Sequence, residues 1–179
     1  MTVDGVQART GVTTFKGKPV TLRGPELRAG DPAPEFTLTT GDLSTVTPEI
    51  MTDEGKNAVM LIVVPSLDTP VCSLESQKFN ARLGELPDSV RVSVVSMDLP
   101  FAQARWCGAQ GDVKLGMLSD YRDHSFGLNY GLLIEELGFH ARAIVVIGKD
   151  RTIKYVQIVP DVASEPDYDA ALKAAAAAA

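Results

Sequence analysis

Cysteine is scarce in this chain. It occurs twice in 179 residues, at Cys72 and Cys107, too rarely for a disulfide-stapled scaffold or a four-thiolate structural zinc site. The only histidines, His124 and His140, would complete a two-cysteine, two-histidine set. Neither pair has the close spacing of a zinc finger, so no metal is expected. Cys-x-x-Cys is absent too, which sets the chain apart from the usual dithiol oxidoreductases. No apolar run approaches the roughly 20 residues that span a bilayer. Positive charge is not concentrated anywhere. The 17 basic and 23 acidic residues leave a net charge of −6, spread along the chain, and nothing invites nucleic acid or an anionic membrane surface. Residues 1–9 lack the basic start and apolar stretch of a secretory signal, so a cytoplasmic address is expected.

What remains is ordinary for a globular protein, with 45% apolar and 22% charged residues. The length suits one domain whose core needs no staples. In a reducing compartment a lone cysteine pair is more often catalytic or redox-active than structural.

The stretch Pro65-Ser66-Leu67-Asp68-Thr69-Pro70-Val71-Cys72 organises the rest. It follows the most strand-like apolar run, Val59 to Val64, and opens a helix expected to reach about Leu83. Thr69 suits the N-cap and Pro70 the first helical position, where a missing N–H costs nothing. Cys72 then stands third in the helix, facing unpaired backbone N–H groups and the positive end of the helix dipole. Sulfur held there favours the thiolate, the nucleophilic form. A small buried hydrophobe, which most free cysteines are, remains the alternative.

Before this stretch, Val12 to Phe15 and Pro19 to Leu22 read as a hairpin turned at Lys16-Gly17-Lys18, after a loose end at residues 1–10. Gly24 to Pro34 is a breaker-rich loop. Phe36 to Leu38 and Leu43 to Val46 are short strand candidates, and Thr47 to Ile50 one helical turn. Beyond the Cys72 helix come a strand at Val90 to Ser96, a helix at Pro100 to Gln110, a short strand at Met117 to Ser119 and a short helix at His124 to Tyr130. Ala143 to Ile147 and Ile153 to Val159 form an antiparallel hairpin, and a last helix runs to Lys173. Nothing is drawn from the alanine run 174–179. This order gives an α/β protein with a central sheet of mixed direction flanked by helices.

Cys107 falls in the helix 100–110. Its functional role would be to trap an oxidised Cys72 as a disulfide. Two cysteines on separate helices do not start within the roughly 7 Å between Cα atoms that a disulfide needs. Both helices would therefore unwind locally, aided by Gly108 and Gly111. Arg142 precedes the strand 143–147, whose neighbour would be the central strand. From there its guanidinium could reach Cys72 and hold a peroxide oxygen, although an arginine at a strand end is usually solvated. Asp68 and Glu75 would disfavour the thiolate unless they face solvent or pair with a base. Leu67 and Phe101 would give the pocket an apolar wall.

Together these residues resemble a known family. Pro65-xxx-Thr69-xx-Cys72 is similar to the active-site signature of peroxiredoxins. The full 65–72 stretch, Asp98-Leu99-Pro100-Phe101-Ala102-Gln103 leading to Cys107-Gly108, Ala141-Arg142-Ala143 and Glu165-Pro166-Asp167-Tyr168 resemble its thiol peroxidase subfamily. The N-terminal hairpin and Gly30-Asp31-x-Ala33-Pro34-x-Phe36 extend the likeness over nearly the whole chain. The resemblance implies a thioredoxin-like fold, with residues 1–29 as an extension whose β-hairpin packs on a peroxidase domain at 30–179. It implies Cys72 as peroxidatic and Cys107 as resolving cysteine, Thr69 and Arg142 as contacts of thiolate and peroxide, and Pro65 as the shield of the pocket. It further implies hydroperoxide substrates, thioredoxin as reductant, a homodimer, a part in antioxidant defence, and no metal or organic cofactor.

Overall fold

The computed structural model describes residues 5–53 and 56–179. Its main sheet has seven strands in the order β10-β9-β5-β6-β7-β3-β4. The central strand β5 (Ala58–Val63) is buried along its whole length, as a strand covered on both faces must be. It runs parallel to β6 (Val90–Ser96), which runs parallel to β7 (Gly116–Ser119). On its other side β9 (Ala143–Gly148) is antiparallel, followed by β10 (Ile153–Ile158). The far edge is β3 (Leu38–Thr39) and β4 (Thr45–Val46), both antiparallel.

The two-residue period of β5 sorts its side chains into two cores. Met60 and Ile62 pack on one face with Phe79 of α2 (Pro70–Arg82), Trp106 of α3 (Pro100–Gln110), and Leu172 and Ala175 of α5 (Tyr168–Ala177). Val59, Leu61 and Val63 pack on the other with Met51 of α1 (Pro48–Asp53) and Phe126 of α4 (Ser125–Asn129). The fold class expected from the element order is the one observed.

A second sheet joins β1 (Ala8–Phe15), β2 (Lys18–Arg23) and β8 (Leu133–Ile134). Lys16 and Gly17, both with positive φ, make the two-residue turn whose twist suits a hairpin. The part of the expected loose end within the described residues is corrected here, since Ala8 to Thr10 pair with Arg23 to Thr21. Residues 1–4 of that end lie outside the described residues. Strand β8 had no sequence signal, because two residues are too few to show a period. The alanine run also gains a role. Asp167 caps α5 by accepting from the Ala170 N–H at 3.0 Å, and Ala175 is fully buried.

Candidate active site

At the end of β5 the chain turns through Pro65–Thr69 into α2. Thr69 is the extended N-cap residue and Pro70 the first helical residue. The Thr69 hydroxyl does not cap the helix, contrary to the sequence reading. It donates back to the Ser66 carbonyl at 3.1 Å, and the Thr69 N–H bonds the same oxygen. The loop is thus closed on itself, and the first N–H groups of α2 stay free of a side-chain cap.

Cys72, in that first turn, is buried to 0% exposure, among Met60, Ile62, Val64, Leu67 and Trp106. Pro65 is buried beneath the loop, whereas Thr69 is exposed. Burial alone would fit an inert thiol, but a cation reaches the sulfur. Ala143 of β9 pairs with Val63, so Arg142, one residue earlier, stands level with the point where β5 gives way to the loop. Its Nη2 donates to Cys72 Sγ at 3.2 Å, its Nε to the Val162 carbonyl at 2.9 Å, and its Nη1 to Glu75 Oε2. Arg142 is 1% exposed; it is not the solvated strand-end arginine that base expectation would give.

Glu75, one helical turn beyond Cys72, is also fully buried. The sequence left open whether it would disfavour the thiolate or pair with a base; it pairs with Arg142, which it shares with the Cys72 sulfur. Burial pushes the Glu75 carboxyl up to about 7, and the adjacent guanidinium offsets only part of that cost. Burial also works against the charge of Arg142, but Glu75 and Cys72 together outweigh it and hold the arginine above its ordinary value. Asp68 is satisfied differently, through an exposed ion pair with Arg105 at 2.6 Å.

Cys107 is half-buried on α3, packed against the same core as Cys72, and both thiols are free. Burial pushes the Cys107 thiol up, so it rests protonated. Helix α3 is tied to α2 by Trp106 Nε1 donating to Ser73 Oγ at 3.0 Å and Gln77 Nε2 donating to Gln110 Oε1 at 2.7 Å. Leu67 lines the core near Cys72, whereas Phe101 is 66% exposed at the start of α3. Among the described residues no three histidine, cysteine, aspartate or glutamate side chains gather as metal ligands. No helix there is long and apolar enough to cross a membrane.

A cysteine at a helix start, touched by a buried arginine, with a second free thiol on the neighbouring helix, is an arrangement open to thiol redox chemistry. Residues 28–172 match the Redoxin family. A thiol peroxidase from Streptococcus pneumoniae is 50% identical over 166 residues, covering 93% of this chain and 99% of that one. The thiol peroxidase of Halalkalibacterium halodurans is 49% identical, over 92% and 97% of the two chains. A crystal structure of a peroxiredoxin-like protein from Aquifex aeolicus superposes with a TM-score of 0.81 at 41% identity, covering 94% of this chain and 95% of that one. The chain belongs to the Redoxin family, within its thiol peroxidase branch.

Proposed function

We propose that Cys72 is the peroxidatic and Cys107 the resolving cysteine of a thiol-dependent peroxidase. The observation that carries this reading is the Arg142 guanidinium 3.2 Å from the Cys72 sulfur at the start of a helix. The thiolate attacks one peroxide oxygen, the O–O bond breaks, and the remaining oxygen leaves as water or an alcohol. Cys72 becomes a sulfenic acid. Donors from Arg142 and the helix N-terminus stabilise charge that grows on the peroxide oxygens, with Thr69 and Pro65 shaping the loop beside them. The Cys107 thiol then displaces water, forming the Cys72–Cys107 disulfide, and an external dithiol, in our reading thioredoxin, reduces it and is itself oxidised. Hydrogen peroxide and organic hydroperoxides are both in range of this chemistry.

A cytoplasmic setting and a homodimer belong to the same proposal. Leu99 and Phe101, 49% and 66% exposed, offer apolar area for a second copy, and light scattering that returned a monomer mass would remove that part. The mechanism itself is tested with two variants. Cys72→Ser should abolish peroxide consumption, whereas Cys107→Ser should complete one turnover and then stop cycling on thioredoxin. Full activity in Cys72→Ser would refute the assignment.

A further inference from the structure

Asp98 touches neither thiol, yet its carboxylate grips the loop that leads to one of them from the foot of the helix that carries the other. It lies between Ser96, the last residue of β6, and Pro100, the first of α3. Oδ2 accepts the Leu67 backbone N–H at 2.7 Å and the Ser96 hydroxyl at 2.8 Å, and Oδ1 accepts the Ser66 hydroxyl at 2.6 Å. The Asp98 carbonyl accepts the Ser119 hydroxyl at 2.5 Å. Behind it the buried Gln103 amide, on α3, donates to Ser96 Oγ at 3.1 Å and to the Leu118 carbonyl at 2.8 Å.

The direction of these bonds matters. A carboxylate accepts on both oxygens and donates on neither, so it can take the hydroxyl of Ser66 and the N–H of Leu67 together. Ser66 is in turn the residue whose carbonyl holds Thr69 twice, through its N–H and its hydroxyl. An unbroken path therefore runs from Asp98 through Ser66 and Thr69 to the first turn of α2 and Cys72. Among the described residues, no other side chain supplies two acceptor oxygens to residues 65–67.

We infer that Asp98 is a positioning residue for peroxide reduction, holding the Pro65–Thr69 loop in its reactive shape from the base of the resolving helix. This rests on Cys72 being the nucleophile. Asp98 acts on the peroxide's seat and not on the sulfur, whose cation is Arg142. Its loss should slow oxidation by peroxide while leaving the thiol itself as reactive as before. A purely structural role would do the reverse: it would lower the melting temperature and leave the rate per folded thiol alone.

The test compares the full-length reduced protein with Asp98→Asn, which keeps one acceptor oxygen, and Asp98→Leu, which keeps none. Rapid-quench mass spectrometry gives the second-order rate of Cys72 oxidation by hydrogen peroxide, and iodoacetamide gives its alkylation rate across pH. The expected result is a ten- to hundredfold slower oxidation in Asp98→Leu, a smaller loss in Asp98→Asn, and an alkylation profile that does not move. Folded variants that oxidise within twofold of the parent, or whose alkylation profile shifts along with the rate, overturn the inference. Should Asp98→Leu fail to fold, Ser66→Ala, which removes the Oδ1 contact together with the Asp68 N–H bond to the same hydroxyl, decides the matter with an expected three- to tenfold loss. Failure of the underlying site assignment would look different, because Cys72→Ser would then still consume peroxide.

Discussion

Arg142 faces two anions with one positive charge. Glu75 and the Cys72 sulfur both bond to its guanidinium in a buried site, so each competes with the other for it. Removing the arginine leaves both without a partner. Arg142→Met should slow the first oxidation of Cys72 by about 10²–10³-fold, the usual effect of losing one transition-state donor. It should also cost about 3–5 kcal/mol of stability at pH 8, where Glu75 is left as a buried unpaired charge. At pH 5 the carboxyl can take a proton, and the cost should shrink. The double variant Glu75→Gln, Arg142→Met should recover much of the stability in urea unfolding and none of the rate, which separates the structural duty of the arginine from the chemical one. Glu75 has its own signature. Its carboxyl is raised from 4.5 to about 7 in the folded protein, so the native state binds that proton more tightly than the unfolded chain. Its contribution is therefore fully present below about pH 4.5 and is lost as pH climbs through 7, a fall of at most about 3 kcal/mol. Glu75→Gln should flatten that slope in urea unfolding followed across pH; a slope equal to the parent's would count against the buried carboxyl as its source. Much of this was legible at the level of single residues. Cys72, Thr69 and Pro70 announce a helix start, and Arg142 stands before a strand that must neighbour β5. The Glu75 partnership was not legible, because an acid three residues after a cysteine reads equally as threat or support until the arginine's direction is known.

The chemistry proposed for the two thiols would be eased by local unwinding of the helices that carry them, as the sequence leads one to expect. Cys72 and Cys107 sit on α2 and α3, and these helices are fastened by the Trp106–Ser73 and Gln77–Gln110 bonds; Ser73 and Trp106 are the chain neighbours of the two cysteines. One such bond contributes about 0.5–1.5 kcal/mol. Ser73→Ala should therefore loosen α3 and speed disulfide formation after Cys72 oxidation by about three- to tenfold, with little change in the oxidation step. Trp106 supplies the probe, because its indole loses the Ser73 bond when α3 moves. Its emission should change when peroxide reaches the reduced protein. Confirmed disulfide formation with an unchanged spectrum would mean that the end of α3 does not move. Gly111 ends α3 at a φ of 87°, where glycine is at ease, so the helix carrying Cys107 is short and bounded by a residue that resists helix. The sequence announced both helices through Pro70 and Pro100 at their first positions and put the end of the second near Gly108 or Gly111, of which Gly111 is the one observed. It could not announce that the Thr69 hydroxyl would turn back to Ser66 and not cap α2, since both bonds suit an N-cap threonine. The reach of α5 to Ala177 was hidden for another reason: alanine favours helix anywhere, and only the buried seat of Ala175 shows that this run packs against the body.

Across the whole molecule, the N-terminal hairpin supports the arginine from behind. Arg142 Nε is held by the Val162 carbonyl, and the segment carrying Val162 is stitched to β1. The Val162 N–H bonds the Thr14 carbonyl at 2.8 Å, the Thr13 hydroxyl bonds the Val159 carbonyl at 2.8 Å, and Asp161 Oδ2 accepts both the Thr14 hydroxyl and the Gly17 N–H. Val162 and Ala141, the residue before Arg142, share a small core with Val20, Leu22 and Ile134. The hairpin was visible in the sequence as an addition to the fold, but its purpose was not, because its partners Val159 and Asp161 lie 144 to 147 residues away along the chain. This arrangement makes a prediction that no local reading of the site would make. Leu22 is fully buried in that small core, and Leu22→Ala should cost about 2–5 kcal/mol of stability. If the hairpin only fills space, the folded variant will reduce peroxide as fast as the parent. If it braces Val162, the guanidinium loses a fixed direction and the first oxidation of Cys72 should slow severalfold under conditions where circular dichroism shows the variant fully folded. Oxidation at the parental rate would confine the hairpin to stability and leave the aim of Arg142 to β9 and Glu75 alone.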